Sequence, residues 1–183
     1  LDGRSLTNQD GLSNSSINCI YQDSCGLLWI GTWDGLNMYN SRDIKVFKPD
    51  LLSSRQSISN NIIRNVIEEK KGLVWIATDY GINRYDINLD KFQNFFCANT
   101  KKNVFKEHSF LLAKDSKGHI FASVNEYGLY LYSPSQSDFI RLNIKISFTV
   151  KQMFFDHDNQ LWLCTEANEI YLIKFHYISD EEV

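Results

Sequence analysis

Proline is scarce in this sequence, at 2 of 183 residues, and cysteine is limited to Cys19, Cys25, Cys97 and Cys164. No two of these form a Cys-x-x-Cys pair, which removes the usual signature of a zinc knuckle or a redox dithiol. A chain this long builds a core without disulfide staples, so four free, buried thiols are expected. Positive charge is not in excess: 19 Lys+Arg stand against 22 Asp+Glu, for a formal net charge of −3. That balance argues against nucleic-acid binding and against a basic membrane-surface module. No run of 18 apolar residues occurs, so no membrane-spanning helix is expected in this segment. The chain begins at Leu1 without a leader-type apolar region and reads as a trimmed segment. P-loop, Gly-x-Ser-x-Gly and Gly-x-Gly-x-x-Gly motifs are missing as well. His108, His119, His157 and His176 are scattered, so neither a catalytic histidine nor a metal or cofactor is expected. Asp156, Asp158 and Asn159 are closely spaced oxygen donors, but too few for a calcium loop.

What is abundant is the aromatic class, at 14% of residues, and it recurs periodically. Four segments align on a central aromatic: Trp29, Trp75, Phe121 and Trp162, at spacings of 46, 46 and 41 residues. Six residues before each stands an acid: Asp23, Glu69, Asp115 or Asp156. Three residues before each stands Gly26, Gly72, Gly118 or Asn159, residue types that accept a positive φ. Each acid-x-x-Gly/Asn therefore reads as a hairpin turn whose acid bonds the backbone two residues on.

Two residues past the aromatic is always something small: Gly31, Ala77, Ser123 or Cys164. A second turn follows at Gly35, Gly81 and Gly128, then a third strand, over 36–39, 82–85, 129–132 and 170–173. A fourth strand is legible at 44–47, 91–95 and 139–142. Short glycine-punctuated strands, four to a repeat of this length, predict an all-β chain of β-propeller blades. The expected blades are 12–50, 58–97, 104–143 and 146–177, each a four-stranded antiparallel repeat, with the aromatic filling the space between neighbouring blades. The fourth lacks a clear outer strand, and Arg4–Thr7 is the candidate closing strand.

The phrases GLSNSSINCIYQDSCGLLWIGTWDGLNMYN and ISNNIIRNVIEEKKGLVWIATDYGINRYD resemble the two-component regulator propeller repeat. The shared pattern is Ser-Asn before the first strand, an acid and glycine at the turn, Trp-Ile-Gly/Ala-Thr, then Gly-Leu/Ile-Asn-x-Tyr. The resemblance is strong over 11–86 and weaker beyond, where Phe121 replaces Trp and Asn168-Glu169 stands where glycine is expected. It implies the periplasmic sensor region of a Bacteroides-type hybrid two-component histidine kinase, responsive to glycan breakdown products. The segment itself would then be no enzyme, and its parent a sensor histidine kinase. The alternatives are a propeller enzyme, a lyase or glycosidase, and a protein-interaction propeller.

Four repeats stand at the lower limit for a propeller. The expectation is a cut through a larger, seven-bladed ring, with bare end faces through which two chains associate as a homodimer. The loops between second and third strands differ between repeats and would share one face. They offer Trp33 and Asp34, Asp79 and Tyr80, then Asn125 and Tyr127. Aromatic platforms beside acids and amides suit an oligosaccharide or other small ligand, so these six are the candidate ligand-binding residues. Arg64 and Arg84 are further candidates; Arg84 stands where other repeats are apolar and is expected to form an ion pair.

Overall fold

A computed structural model describes residues 3, 5–50, 52, 57–96, 110–125, 127–144 and 148–175. The chain divides into two compact units, Leu1–Ser109 and Phe110–Val183. In the first unit, β1 (Ile17–Gln22), β2 (Leu28–Thr32), β3 (Gly35–Tyr39) and β4 (Ile44–Phe47) form one antiparallel sheet in chain order. β5 (Ile63–Lys70), β6 (Leu73–Thr78), β7 (Ile82–Asp86) and β8 (Lys91–Phe95) form the next. In the second unit, β9 (Phe110–Lys114), β10 (Ile120–Val124), β11 (Gly128–Ser133) and β12 (Asp138–Arg141) make a third. β13 (Val150–Phe155), β14 (Leu161–Thr165) and β15 (Ile170–Ile173) make the fourth. These are the expected propeller blades, numbered here one to four.

The turn chemistry is as the residue types require. Asn159 and Asn168 occupy positions where other repeats have glycine, with φ of 58° and 60°. Asparagine tolerates that left-handed region, which is why the degenerate fourth repeat keeps its hairpins.

The fourth blade departs from expectation: among the described residues it has three strands, not four. The Arg4–Thr7 closing strand is not formed either. Residues 5–7 carry no strand, Arg4 lies outside the described residues, and Thr7 instead caps a 3₁₀ turn at Asn8–Asp10. Its backbone and hydroxyl donate to Asp10 Oδ2 at 2.8 and 3.0 Å, which directs those groups into a local cap rather than a ladder.

Consecutive blades pack through the repeated aromatic. In the first unit Trp29 is fully buried, 6.1 Å from Phe47 and edge-on to Tyr85 of blade two at 6.0 Å. Ile63, Val66, Val74 and Ile76 of blade two complete that core. In the second unit Phe121 meets Phe155 and Phe175, each at 4.9 Å. A polar lock joins the first two blades as well: Lys45 Nζ bonds Asp90 at 2.8 Å, and the Tyr85 hydroxyl donates to the same carboxylate. Burial, then that carboxylate, push the Tyr85 phenol above its ordinary value; Lys45 and Tyr85 hold the Asp90 carboxyl low.

The small residue after the aromatic has a local cause. A Cβ on Gly31 would stand 2.5 Å from Cys19 Sγ and 2.6 Å from Ile63 Cγ2. The first strand of the next blade sets the size limit.

Of the cysteines, Cys19, Cys25 and Cys164 are free. Burial pushes the Cys19 thiol up to about 11. Cys25 is exposed, contrary to expectation, because it sits in the turn after β1 with its backbone N–H turned inward onto Asp23. Cys97, His108 and His176 lie outside the described residues.

Candidate functional site

In the first unit the β2–β3 loop and its counterpart between β6 and β7 are built on a partly buried relay. In blade one, Asn37 Nδ2 donates to Ser13 Oγ (2.9 Å), Ser13 Oγ lies 3.0 Å from Thr32 Oγ1, and Thr32 Oγ1 donates to Gly35 O (2.9 Å). Ser13 N closes the set on Asn37 Oδ1 at 2.9 Å. Blade two repeats it: Ser59 N on Asn83 Oδ1 (2.8 Å), Ser59 Oγ by Thr78 Oγ1 (3.2 Å), Thr78 Oγ1 to Gly81 O (2.9 Å). Thr32 Oγ1 also accepts from Asp34 N, and Thr78 Oγ1 from Tyr80 N, both at 3.0 Å. The Ser-Asn, Thr and Asn of the sequence phrase are thus the parts that hold these loops rigid.

The candidate side chains stand on that frame. In blade one Trp33 is 53% exposed, with its backbone N–H on Ser16 O at 3.1 Å. Asp34 beside it pairs with Lys48 at 2.6 Å, both ends exposed. In blade two Asp79 receives the guanidinium fork of Arg64, with Nη2 to Oδ2 at 2.9 Å, next to half-buried Tyr80. β1 and β5 run side by side in the same sense: Asn18 bonds Ile63 O at 2.9 Å near their starts, and Ser24 bonds Glu68 at 2.8 Å near their ends. The two loops therefore share one end of the first unit. Each presents an aromatic ring beside a carboxylate–cation pair.

In the second unit Tyr127 is half-buried, its N–H on Val124 O at 3.0 Å. Asn125 is buried, and its Oδ1 accepts from Val150 N at 3.2 Å, joining blade three to blade four. Arg64 and Lys48 belong to the loop chemistry. Arg84 forms the expected ion pair, with Glu69 at 2.8 Å through both Nε and Nη2, over the Trp75 ring.

At the other end of the blades the repeated acids do more than form turns. Asp23 Oδ1 accepts from Cys25 N and Leu27 N, and Oδ2 accepts from the Trp29 indole, all at 2.9 Å. Glu69 reaches Trp75 at 2.8 Å, and Asp156 reaches Trp162 at 2.6 Å. The Phe121 ring carries no N–H, and there Asp115 pairs with the His119 ring at 2.8 Å. Asp156 Oδ1 is bonded by Asp158 N and Gln160 N, and Asn159 Oδ1 by Ser116 N. Asp156 Oδ1 and Asn159 Oδ1 are thus already held by backbone amides.

The Trp162 indole, the Gln160 and Asp158 amides and nearby His157 together hold the Asp156 carboxyl below its ordinary value. A depressed carboxyl contributes stability that is complete above the unfolded value of about 3.9 and lost as pH falls through the folded value. The Trp162 indole proton resonance is therefore expected to stay constant from neutral pH down to about 3.9, then move. Asp156→Asn should abolish that step; an unchanged profile in the variant would refute the assignment.

Among the described residues, no group of three His, Cys, Asp or Glu is placed to hold a metal ion. No helix there is long and apolar enough to cross a membrane.

Residues 11–34 match the family described as two component regulator propeller. A stretch of 45 residues is 47% identical to histidine kinase P4 of Formosa agariphila, covering 25% of this chain and 3% of the relative. Among solved structures, the extracellular domain assigned to the hybrid two component system BT3049 of B. thetaiotaomicron superposes with a TM-score of 0.74. That match is 19% identical over 97% of this chain and 27% of the other. The extracellular domain assigned to the one component system BT4673 of the same organism gives 0.72, at 22% identity over 95% and 23%. The chain thus spans about a quarter of those two structures and a far smaller share of the kinase. The structural likenesses establish the propeller-blade fold, and the sequence match to the two component regulator propeller family covers the first two strands of blade one.

Proposed function

We propose that this chain is a non-catalytic, ligand-sensing segment of a hybrid two-component regulator, lying in the periplasm. The observation that carries the proposal is the regulator repeat at 11–34, with the stretch shared with a histidine kinase. The extracellular domains among the structural neighbours support placing the segment outside the cytoplasm. Sensing would work by population shift: a ligand that binds one packing of the blades better than another favours it, and the difference passes to a kinase outside this chain.

The ligand class we propose is an oligosaccharide. Trp33 and Tyr80 offer ring faces for the apolar side of a sugar. The Asp34–Lys48 and Asp79–Arg64 pairs offer acceptors and donors for its hydroxyls. In the second unit Tyr127 offers a ring of the same kind, while Asn125 holds its loop through Val150.

The test is titration of the chain with a panel of neutral and acidic oligosaccharides, read by calorimetry and tryptophan fluorescence. At least one is expected to bind saturably, with Trp33→Ala and Tyr80→Ala each weakening it about tenfold or more, about 1.4 kcal/mol. A panel without a saturable member, or binding that both variants leave unchanged, would overturn the proposal.

A further inference from the structure

Near their starts, β1, β5 and β13 share an irregularity. Across β1 and β2 the pairing runs Ile17 with Thr32 and then Cys19 with Gly31, which leaves Asn18 as an extra residue. Across β5 and β6 it runs Ile63 with Thr78 and then Asn65 with Ala77, leaving Arg64. Across β13 and β14 it runs Val150 with Thr165 and then Gln152 with Cys164, leaving Lys151. These are β-bulges, which take a residue out of the ladder and re-aim its side chain. Arg64 turns to Asp79, the first residue of the loop after β6, and Asn18 turns to Ile63 O of the next blade. That first loop residue is fixed to the chain just before the bulged strand in each case. Trp33 N bonds Ser16 O and Asp79 N bonds Ile62 O, both at 3.1 Å, and Glu166 N bonds Thr149 O at 3.0 Å.

The loop frame repeats from blade to blade, and the bulge does not. Ser13, Thr32 and Asn37 recur as Ser59, Thr78 and Asn83 in the same bonds. The bulge residue and the first loop residue instead change together: Asn18 with Trp33, Arg64 with Asp79, Lys151 with Glu166. Each of these pairs sums to no net charge. Freed from the ladder and held at a loop end, the bulge is a position where recognition can vary while the frame stays the same.

In the first unit two such pairs share one surface. Gly35 N bonds Asn61 O at 2.8 Å and Asn18 Nδ2 bonds Ile63 O at 2.9 Å, so blade one is fixed to the segment that leads into Arg64. The guanidinium meets Asp79 through Nε and Nη2, which leaves the N–H groups of Nη1 facing away from the carboxylate. The Arg64 and Asp79 side chains remain 32% and 25% exposed. Asn18 is exposed, and with Nδ2 engaged by Ile63 O its Oδ1 is an acceptor beside the peptide that enters Arg64. Asp34 has Lys48 as its own counter-charge. Donors, an acceptor and the Trp33 ring are thus presented together with every charge of the set already matched.

We propose, on the oligosaccharide reading above, that the sugar is a neutral one and that the Arg64–Asp79 pair enforces this choice. A hydroxyl accepts from Nη1 without disturbing the fork. A carboxylate or sulfate at the same edge competes with Asp79 for the guanidinium and sets a second negative charge beside it, and both cations of the set are already paired.

The test is calorimetric titration with a series of neutral oligosaccharides and their uronate-bearing counterparts of equal length, at about 50 and about 500 mM salt. The native chain should bind a neutral member with an affinity that changes by less than about twofold between the two salts, and the acidic counterpart about tenfold or more weakly. Asp79→Asn keeps the shape of the side chain and leaves Arg64 without its counter-charge, so it should shift the preference towards the acidic counterpart by about tenfold or more. A pair that only braces the loop would lower both affinities alike. An acidic member bound by the native chain as tightly as its neutral counterpart would overturn the assignment and leave the sensor reading standing. So would a steep salt dependence of the neutral member, or an Asp79→Asn variant that weakens both members equally. A series without any saturable member would remove the oligosaccharide reading itself, and this assignment with it.

Discussion

Asp23→Ala is expected to lower the stability of the first unit by about 3–4 kcal/mol. The single carboxylate serves three donors: Cys25 N, Leu27 N and the Trp29 indole, each at 2.9 Å. Alanine leaves the two turn amides to reach water at the hairpin, at a cost of about 0.5–1.5 kcal/mol each. The indole cannot follow them, because Trp29 is fully buried between blades. A buried donor without a partner costs about 1–3 kcal/mol more. Asp23→Asn keeps one acceptor oxygen but sets an amide donor near a donor, so its loss should be intermediate. Trp29→Phe removes the stranded donor. Introduced into Asp23→Ala, it should cost less than it does alone, and this coupling separates the indole bond from the turn. Urea unfolding followed by far-ultraviolet dichroism measures the four variants against the native chain. A loss below about 1 kcal/mol for Asp23→Ala, the value of an ordinary exposed turn, would refute the role.

That bond marks the boundary of what the residues alone disclosed. The acid was legible as a turn former, and the aromatic as the filler between blades. Their partnership follows only once the hairpin register is known. Asp23 faces Leu27 across the turn through its N–H, and Trp29 lies two residues further along that strand, so acid and indole are diagonal neighbours on one face. The same step finds Arg64 beside Asp79, since Ile63 pairs with Thr78, and Lys48 beside Asp34, since Phe47 pairs with Leu36. The Ser13–Thr32–Asn37 relay was harder to see. Those residues stand in the family phrase, and their meaning needs the segment before β1 to fold back over β3. Asn125 reads as polar and loop-borne, hence as a ligand contact; its engagement with Val150 depends on where blade four places its first strand. That the fourth blade has three strands among the described residues agrees with the lack of pattern after Lys174; that residues 5–7 form no strand does not show in the sequence. The ligand is the least legible part. Specificity rests on a few hydrogen bonds among exposed loop groups, and residue types shared by many polar surfaces do not select one.

Gly31→Val should be the most damaging substitution at a glycine in the first blade, at about 3 kcal/mol or somewhat more. The backbone conformation there is ordinary for a strand, so the argument is one of space alone. Any Cβ arrives 2.5 Å from Cys19 Sγ, 2.6 Å from Ile63 Cγ2 and 3.0 Å from Ile63 Cβ. Cys19 lies across the same sheet and Ile63 opens the next blade, and both are packed into the core that holds Trp29. The sulfur is a side-chain end and can turn. Ile63 is fully buried, and moving it means moving β5 away from β2. Valine adds two methyl groups to that conflict, alanine none, so Gly31→Ala should fall well short of Gly31→Val. The decisive measurement is a cycle with Ile63→Ala. Ile63→Ala alone opens a cavity and should cost about 2–5 kcal/mol. If the clash is the mechanism, Gly31→Val in the Ile63→Ala background should cost at least 1 kcal/mol less than in the native chain, a coupling of ordinary size for residues in contact. Strict additivity would mean that the glycine is required for some other reason, and that β2 and β5 are not held at contact distance by this pair.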